Sequence, residues 1–545
     1  MVACLRDAKE TRPANEFTGV RTMHAQYDVP MYPQLGHVYP GDYYEALPFG
    51  DYIDRAQPLP SGETVFDIRD FGAVPEKERL NTEAFHAAAR ACEQAGGGTI
   101  LVAGGSYWMG AVRVPSNTTL FIAADSEIVA SRNMAHMGEG VELGGERAHA
   151  FVHIANAENV VITGGGRICG NGEWYVYEPR EKPSLTPFPI TALPRTDQAA
   201  IINDVPGTLR YFYRRRIRYA EDHYFEGLPP LARPNFMVWA RESRCVRFEN
   251  IILHASMCWT LNLDRCEDVT VRNLVIDDNR HVANTDGIDV TGSSRVSIEH
   301  CFVSCADDGI VLKNPEHTGR AMSDIRVKDC TVITVMSAFK IGTETGHDIS
   351  DVRVEDCRFC MPDIYPGSVT GISLESCDGT RLKNIVIRNI EMERVNCPLY
   401  ICLNMRNRYH DPYTDEPGKN RFWGGAIENI VLENLRAVNA ETPSILTGFQ
   451  TARIDGTPVR RAVRNVHLRG FHVKYRENPA YVNVPEVTPE HLFGYPESNA
   501  HGDVDASGIW ARHIDGLTLE DIDITPRAAD TREIVRLHDV RTESL

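Results

Sequence analysis

At 545 residues the chain has room for three or more average domains, or for one solenoid that grows by adding coils. A formal net charge of −18 makes nucleic acid and anionic membrane poor partners, so an anionic ligand would need a locally basic cleft. No window approaches the ~18 apolar residues of a membrane span.

In chain order, the opening MVACLRDAKETRPANEF lacks a basic stretch followed by an apolar run. No secretory signal is therefore expected, and the expected location is cytoplasmic. The 14 cysteines lack the dense spacing of a disulfide scaffold and read as reduced thiols. Residues 1–62, rich in Pro, Tyr and Gly, show no clear periodicity and are expected to form an irregular extension. Asn81-Thr82-Glu83 opens a helix-like run through Phe85, Ala88 and Cys92 that ends at Gly96-Gly97-Gly98. Asn suits an N-cap and Gly a terminator, so this helix is expected to cap the open end of a repeat.

The repeat is a short phrase, of which Val246-Arg247-Phe248-Glu249-Asn250-Ile251 is one copy. Further copies start at Val269, Val296, Ile325, Val352, Ile385, Ile430, Val466 and Leu517, the first five roughly 23–29 residues apart. Period-two alternation makes each copy a strand with one buried face, and flanking Asn, Asp and Gly supply the turns. The sixth position runs Ile251, Leu274, Cys301, Cys330, Cys357, Ile390, Leu435, Phe471, Ile522, an interior ladder in which the cysteines act as small hydrophobes. The expected fold is all-β, a single-stranded right-handed parallel β-helix over 63–545. A leucine-rich repeat would want a leucine-dominated phrase and a helix-sized remainder, and neither is present.

An insertion at 173–234 interrupts the repeat. Its basic aromatic run, Leu209 to Tyr219, reads as a surface helix packed on the solenoid, a cleft wall, or a contact through which the chain would form a homo-oligomer. A second polar, aromatic loop lies around Asp411 to Gly425.

Asn284-Thr285-Asp286-Gly287-Ile288-Asp289 is followed about one coil later by Ala306-Asp307-Asp308-Gly309-Ile310. Equivalent positions on adjacent coils lie one strand spacing apart, ~4.8 Å, so Asp286 should meet Asp307 and Asp308. Such a cluster suits glycoside hydrolysis, with one carboxyl protonated and another ionised to activate water. Turn residues or a calcium site are the alternatives that spacing leaves open.

The sequence resembles glycoside hydrolase family 28, the polygalacturonases, from about Val65 to at least Met405. The resemblance rests on FDIRDFGA at 66–73, GGGRICGNGEW at 164–174, NTDGID at 284–289 and ADDGIVLK at 306–313. It implies a pectate-lyase-like solenoid, inverting hydrolysis of pectin-like polysaccharide, no cofactor and no metal. Asp307 matches the general acid, and Asp286 and Asp308 match the pair that activates water. Asn284 would brace the cluster, and Lys313 falls where bacterial relatives carry lysine. Where the family has Gly-His-Gly, this chain has Ser337, with His347 a few residues on. Where the family binds a substrate carboxylate with Arg-Ile-Lys, it has Ser373-Leu374-Glu375. Lys340, Arg406 and His347 are therefore expected as substrate contacts, with a neutraliser of Asp307 or Asp308 as the alternative for Lys340 and a turn residue for His347, and a rhamnogalacturonan fragment or a side-chain glycoside joins plain homogalacturonan as a candidate substrate. The rival functions are a β-helix lyase or epimerase on uronates, with Lys340 as base, and a non-catalytic carbohydrate-binding solenoid.

Overall fold

A computed structural model describes residues 50–172 and 233–542, apart from breaks at 55–56, 77–78, 144, 281, 362–366, 407–424, 453–455 and 478–483. Trp174, the basic aromatic run and nearly all of the two interrupting segments lie outside the described residues.

The phrases form the expected strands, and the strands stack in parallel into a 29-stranded sheet that winds as a right-handed parallel β-helix. Three files of strands run along it. The first includes the phrase-bearing strands Arg244–His254, Glu267–Asp277 and Ser294–Glu299. The second includes Phe302–Cys305 and Thr331–Thr334. The third includes Trp259–Asp264, Ile288–Thr291, Ile310–Asn314, Ser337–Thr345, Ser368–Ser376 and Val395–Leu403. Among the described residues, strands run from Val65 to Thr542.

The sixth-position ladder is real in register: Ile251 pairs with Leu274, Cys357 with Ile390, Ile390 with Leu435, Leu435 with Phe471 and Phe471 with Ile522. All are buried except Ile522, which is half-buried at the C-terminal end. The fifth position explains the corner before each ladder residue. Asn250, Asn273, Asp356, Asn389 and Asn434 all adopt left-handed φ between 48° and 57°. Asn and Asp tolerate that region better than other side chains, while a β-branched residue there would be strained. Their amides also bond along the axis, Asn389 Nδ2 to Asp356 Oδ1 at 2.8 Å and Asn434 Nδ2 to Asn389 Oδ1 at 3.0 Å.

The cap is a helix, Thr82–Gln94, that buries Phe85, Ala88 and Cys92. Asn81 sits at its N-cap but does not cap with its side chain. Its Oδ1 instead accepts the Val74 N–H at 2.7 Å, tying down the preceding loop. The end of the N-terminal extension docks on the solenoid: Tyr52 stacks on His300 with ring centroids 4.9 Å apart, and Ile53 packs with Ile252, Phe302 and Ile333.

Cys301, Cys330 and Cys357 are buried, and the Cys330 thiol donates to the Lys328 carbonyl at 3.2 Å. Burial raises the Cys330 thiol well above its ordinary pKa, so it resists forming the reactive thiolate. In the C-x-x-C run, Cys357 faces the main core and Cys360 an outer apolar cluster, so their side chains diverge. In the native protein a thiol reagent should leave Cys301, Cys330 and Cys357 unlabelled, and all three should react after denaturation. Mass spectrometry reads this directly, and fast native labelling of the three would overturn the register.

Candidate active site

The carboxylates sit on two successive turns that feed the third file. Ile288 pairs with Ile310 one coil on, which sets Asp286 beside Asp308. The backbone locks the turns together: Gly287 N–H donates to Asp308 O at 2.9 Å and Gly309 N–H to Ser337 O at 2.8 Å. The glycine after each aspartate is a packing requirement. A Cβ on Gly287 would lie 2.4 Å from Gly309 O, and one on Gly309 2.3 Å from Val332 Cγ1.

One oxygen from each of Asp286, Asp307 and Asp308 falls within 4.8 Å of the others. Asp286 and Asp308 are buried, and Asp307 is half-buried. Each buried carboxylate is held by a buried lysine. Lys313 Nζ lies 2.7 Å from Asp286 Oδ2 and 2.8 Å from Asp289 Oδ1, over the Trp259 ring at 3.6 Å from its centroid. Lys340 Nζ lies 3.2 Å from Asp308 Oδ2, with Glu497 at 3.7 Å and Glu375 at 3.9 Å. Asp307 makes no ion pair among the described residues. Burial, then the charges of Asp286 and Asp308, raise its carboxyl well above the ordinary range and favour its protonated form, while burial also raises Asp286 but Lys313 opposes the shift there. Burial would strip the proton from Lys313 and Lys340, but the carboxylates around them outweigh it and keep both charged.

Asn284, left-handed at φ 59°, accepts Arg233 Nη2 on its Oδ1 at 3.2 Å. Lys340, expected as a substrate contact, is 1% exposed and has the position of a counter-ion. Arg406 pairs with Asp378 at 2.6 Å and donates to Thr343 O at 2.8 Å. His347 Nε2 lies 3.0 Å from the Glu316 carbonyl and is not among the groups that pair with the three aspartates. Ser337 N–H approaches Asp308 Oδ1 at 3.3 Å, and Ser373 Oγ donates to Glu375 Oε1 at 2.6 Å.

Several site residues escaped the sequence reading. Asp289 could have been found, because the alternation that buries Ile288 and Val290 turns it to the same side as Lys313 and Lys340. Asp278 accepts Ser256 N–H at 2.7 Å and the Thr260 hydroxyl at 2.5 Å, and burial pushes it up to about 7. Tyr495 and Glu497 arrive from a segment more than 150 residues downstream of Lys340, with no local signal. The three aspartates could chelate a divalent ion, but the two ammoniums already supply the positive charge that such an ion would bring.

A model of the glycosyl hydrolases family 28 matches residues 230–454, the stretch that carries the cluster. The match covers less than half of the chain. A probable polygalacturonase of Vitis vinifera is 22% identical over 45% of this chain and 43% of its own length. A polygalacturonase of Chamaecyparis obtusa is 24% identical over 49% of this chain and 42% of its own. These alignments span less than half of either relative. The solved family 28 exopolygalacturonase of Yersinia enterocolitica superposes with a TM-score of 0.58 at 16% identity, covering 88% of this chain and 78% of that one, a likeness of fold.

Glu375 gives the fold a pH signature. Burial pushes its carboxyl up to about 8, from 4.5. The folded protein therefore keeps a proton that the unfolded chain releases above about 4.5, and stability falls as pH rises toward 8. Glu375→Gln, neutral at every pH, should flatten the decline of Tm between pH 5 and 8. An unaltered slope would show that Glu375 is already ionised.

Proposed function

We propose that this protein is a family 28 member that hydrolyses glycosidic bonds in pectin-like poly- or oligosaccharides derived from galacturonate or rhamnogalacturonan backbones. The observation that carries this reading is the placing of three carboxylates within 4.8 Å of one another, with Asp286 and Asp308 each paired to a buried lysine and Asp307 to none among the described residues. Asp307, without a lysine and with its protonated form favoured, is the general acid. Asp286 and Asp308, each held by an ammonium, form the pair that activates water. Asp286 Oδ1 is buried and makes no hydrogen bond among the described residues, which leaves it available to accept a proton from the attacking water.

In the step, Asp307 gives its proton to the glycosidic oxygen as the bond from the anomeric carbon breaks. Water bonds to that carbon and releases its proton to the Asp286–Asp308 pair. Lys313 and Lys340 touch no reacting atom and are positioning residues. The family resemblance supports inversion. Inverting pairs usually stand ~6.5–9.5 Å apart and retaining pairs ~5–5.5 Å, so the close cluster favours retention as the second reading.

The lyase reading needs a base for the C5 proton. Lys340 is a poor one, because Asp308 lies 3.2 Å away and favours its charged form. A binding-only solenoid has no use for three clustered carboxyl groups, which by burial and mutual repulsion lower stability.

The test is a panel of pectic oligosaccharides, with products followed by chromatography and the first-formed anomer by NMR. Wild-type protein should release saturated, inverted products. Asp307→Asn should lower kcat by ~10²–10⁴-fold with the fold intact, since the amide has no proton to give. Full turnover by a folded variant would remove Asp307 from the acid role.

EDTA should leave the rate unchanged, because protonation and water activation here use carboxylates alone. Loss on chelation with recovery in Ca²⁺, and unsaturated products absorbing in the ultraviolet, would favour the lyase.

A further inference from the structure

On an open solenoid face, the side chains that alternate with core residues should meet water. On the third file beyond Lys340 they do not. Ile372, Leu374, Leu399 and Ile401 fill the core, yet their outward neighbours Ser373, Glu375, Tyr400 and Cys402 are also buried. What covers them is a strap formed by residues 484–505. It is tied to the coils at Arg512, which donates to Thr488 O at 2.9 Å, and at Met405, whose N–H donates to Leu492 O at 2.7 Å. Closer to the site, Ser498 bonds Thr370 at 3.1 Å and His501 bonds the Tyr400 hydroxyl at 3.0 Å. Val504 packs with Tyr400 and Trp510 beneath it.

The strap ends against the carboxylates. Glu497 reaches Lys340 at 3.7 Å. Tyr495 accepts the Thr343 hydroxyl at 2.9 Å and lies 5.5 Å from Lys340 Nζ and 5.8 Å from the Arg406 guanidinium carbon. Despite these contacts Tyr495 remains 51% exposed, an aromatic face held beside the Lys340–Asp308 pair. An aromatic ring fixed in this way is suited to pack against the apolar face of a pyranose.

We propose that the strap closes the cleft on the side of the C-terminal coils, so that the site receives one chain end and cleaves by an exo mode, with Tyr495 the specificity-determining platform for the terminal ring. The inference rests on the hydrolase reading for its catalytic part and on the covered face for its binding part. A polysaccharide cannot continue along the third file past Lys340, because the positions it would occupy are filled by Ser498, His501 and Val504. The ligand is the end of a pectin-like chain, recognised by ring face and hydroxyls.

Two measurements separate this inference from the hydrolase reading. With reducing-end-labelled pectic oligosaccharides of three to eight residues, the wild-type protein should release a product of fixed length from the first time point. It should also lower the viscosity of polygalacturonate slowly for each bond cut. Random early products with a fast viscosity drop would overturn the exo mode. Independently of turnover, folded Asp307→Asn protein should bind one molecule per polygalacturonate chain whatever the chain length, by sedimentation. A stoichiometry that grows with length would mean an open cleft. Tyr495→Ala should weaken this binding and raise KM about tenfold with little change in kcat or Tm, and Tyr495→Phe should restore most of it. Equal binding by all three Tyr495 forms would overturn the platform. One-per-chain binding without any hydrolysis would uphold the closed cleft and overturn the hydrolase reading. No binding to any of these probes would overturn both.

Discussion

The parallel register between successive coils is the constraint on which the rest depends. It sets like positions one strand spacing apart, so a residue type repeated at one phrase position becomes a file. For Ile, Leu and Cys the file is a core. For aspartate it is a problem: two unit charges at ~4.8 Å repel by ~3–4 kcal/mol even at an effective dielectric constant near 20. The same register that creates this repulsion resolves it. Lys313 and Lys340 stand on the outward side of neighbouring third-file strands and each reaches a different carboxylate. For the aspartate left without an ammonium, burial and its neighbours favour the protonated form.

Charge balance also bears on what the site can hold. In a protein of net charge −18, the site contains lysines, yet both are engaged by buried carboxylates, and Arg406 is engaged by Asp378. At the positions where the resemblance leads one to expect Arg-Ile-Lys, Ser373 and Glu375 bond to each other under the strap. Recognition by ring faces and hydroxyls fits these described surroundings better than a fork of free cations.

The strap shows how a solenoid gains specificity. Coils stacked on one another contact only their neighbours, so a bare β-helix offers a long, uniform face. A segment that leaves the helix at its C-terminal end and returns across several coils breaks that uniformity. It brings Tyr495 and Glu497 to a cluster built near the middle of the chain, and it takes the outward face of the intervening strands out of solvent.

The β-helix itself was legible in the residues. Alternation of period two, Asn or Asp at the left-handed corner of most copies (His300 and Gly470 in two) and an apolar sixth position are local rules, and each copy fits them within about six residues. Asp286, Asp307 and Asp308 were legible for the same reason, because one coil of separation in sequence is one strand spacing in space. Asn81 shows the limit of such rules: it stands at the helix start, as its type suggests, but its amide serves the Val74 loop. Lys340 was visible as a cation beside the cluster and Asp308 as one of its two candidate counter-charges, but Asp378 as the partner of Arg406 was not, since pairing depends on which carboxylates share its burial. Tyr495, Glu497 and the covered face were settled by tertiary structure alone. Their placement follows from contacts made between distant coils, and no local periodicity encodes where an irregular segment lands.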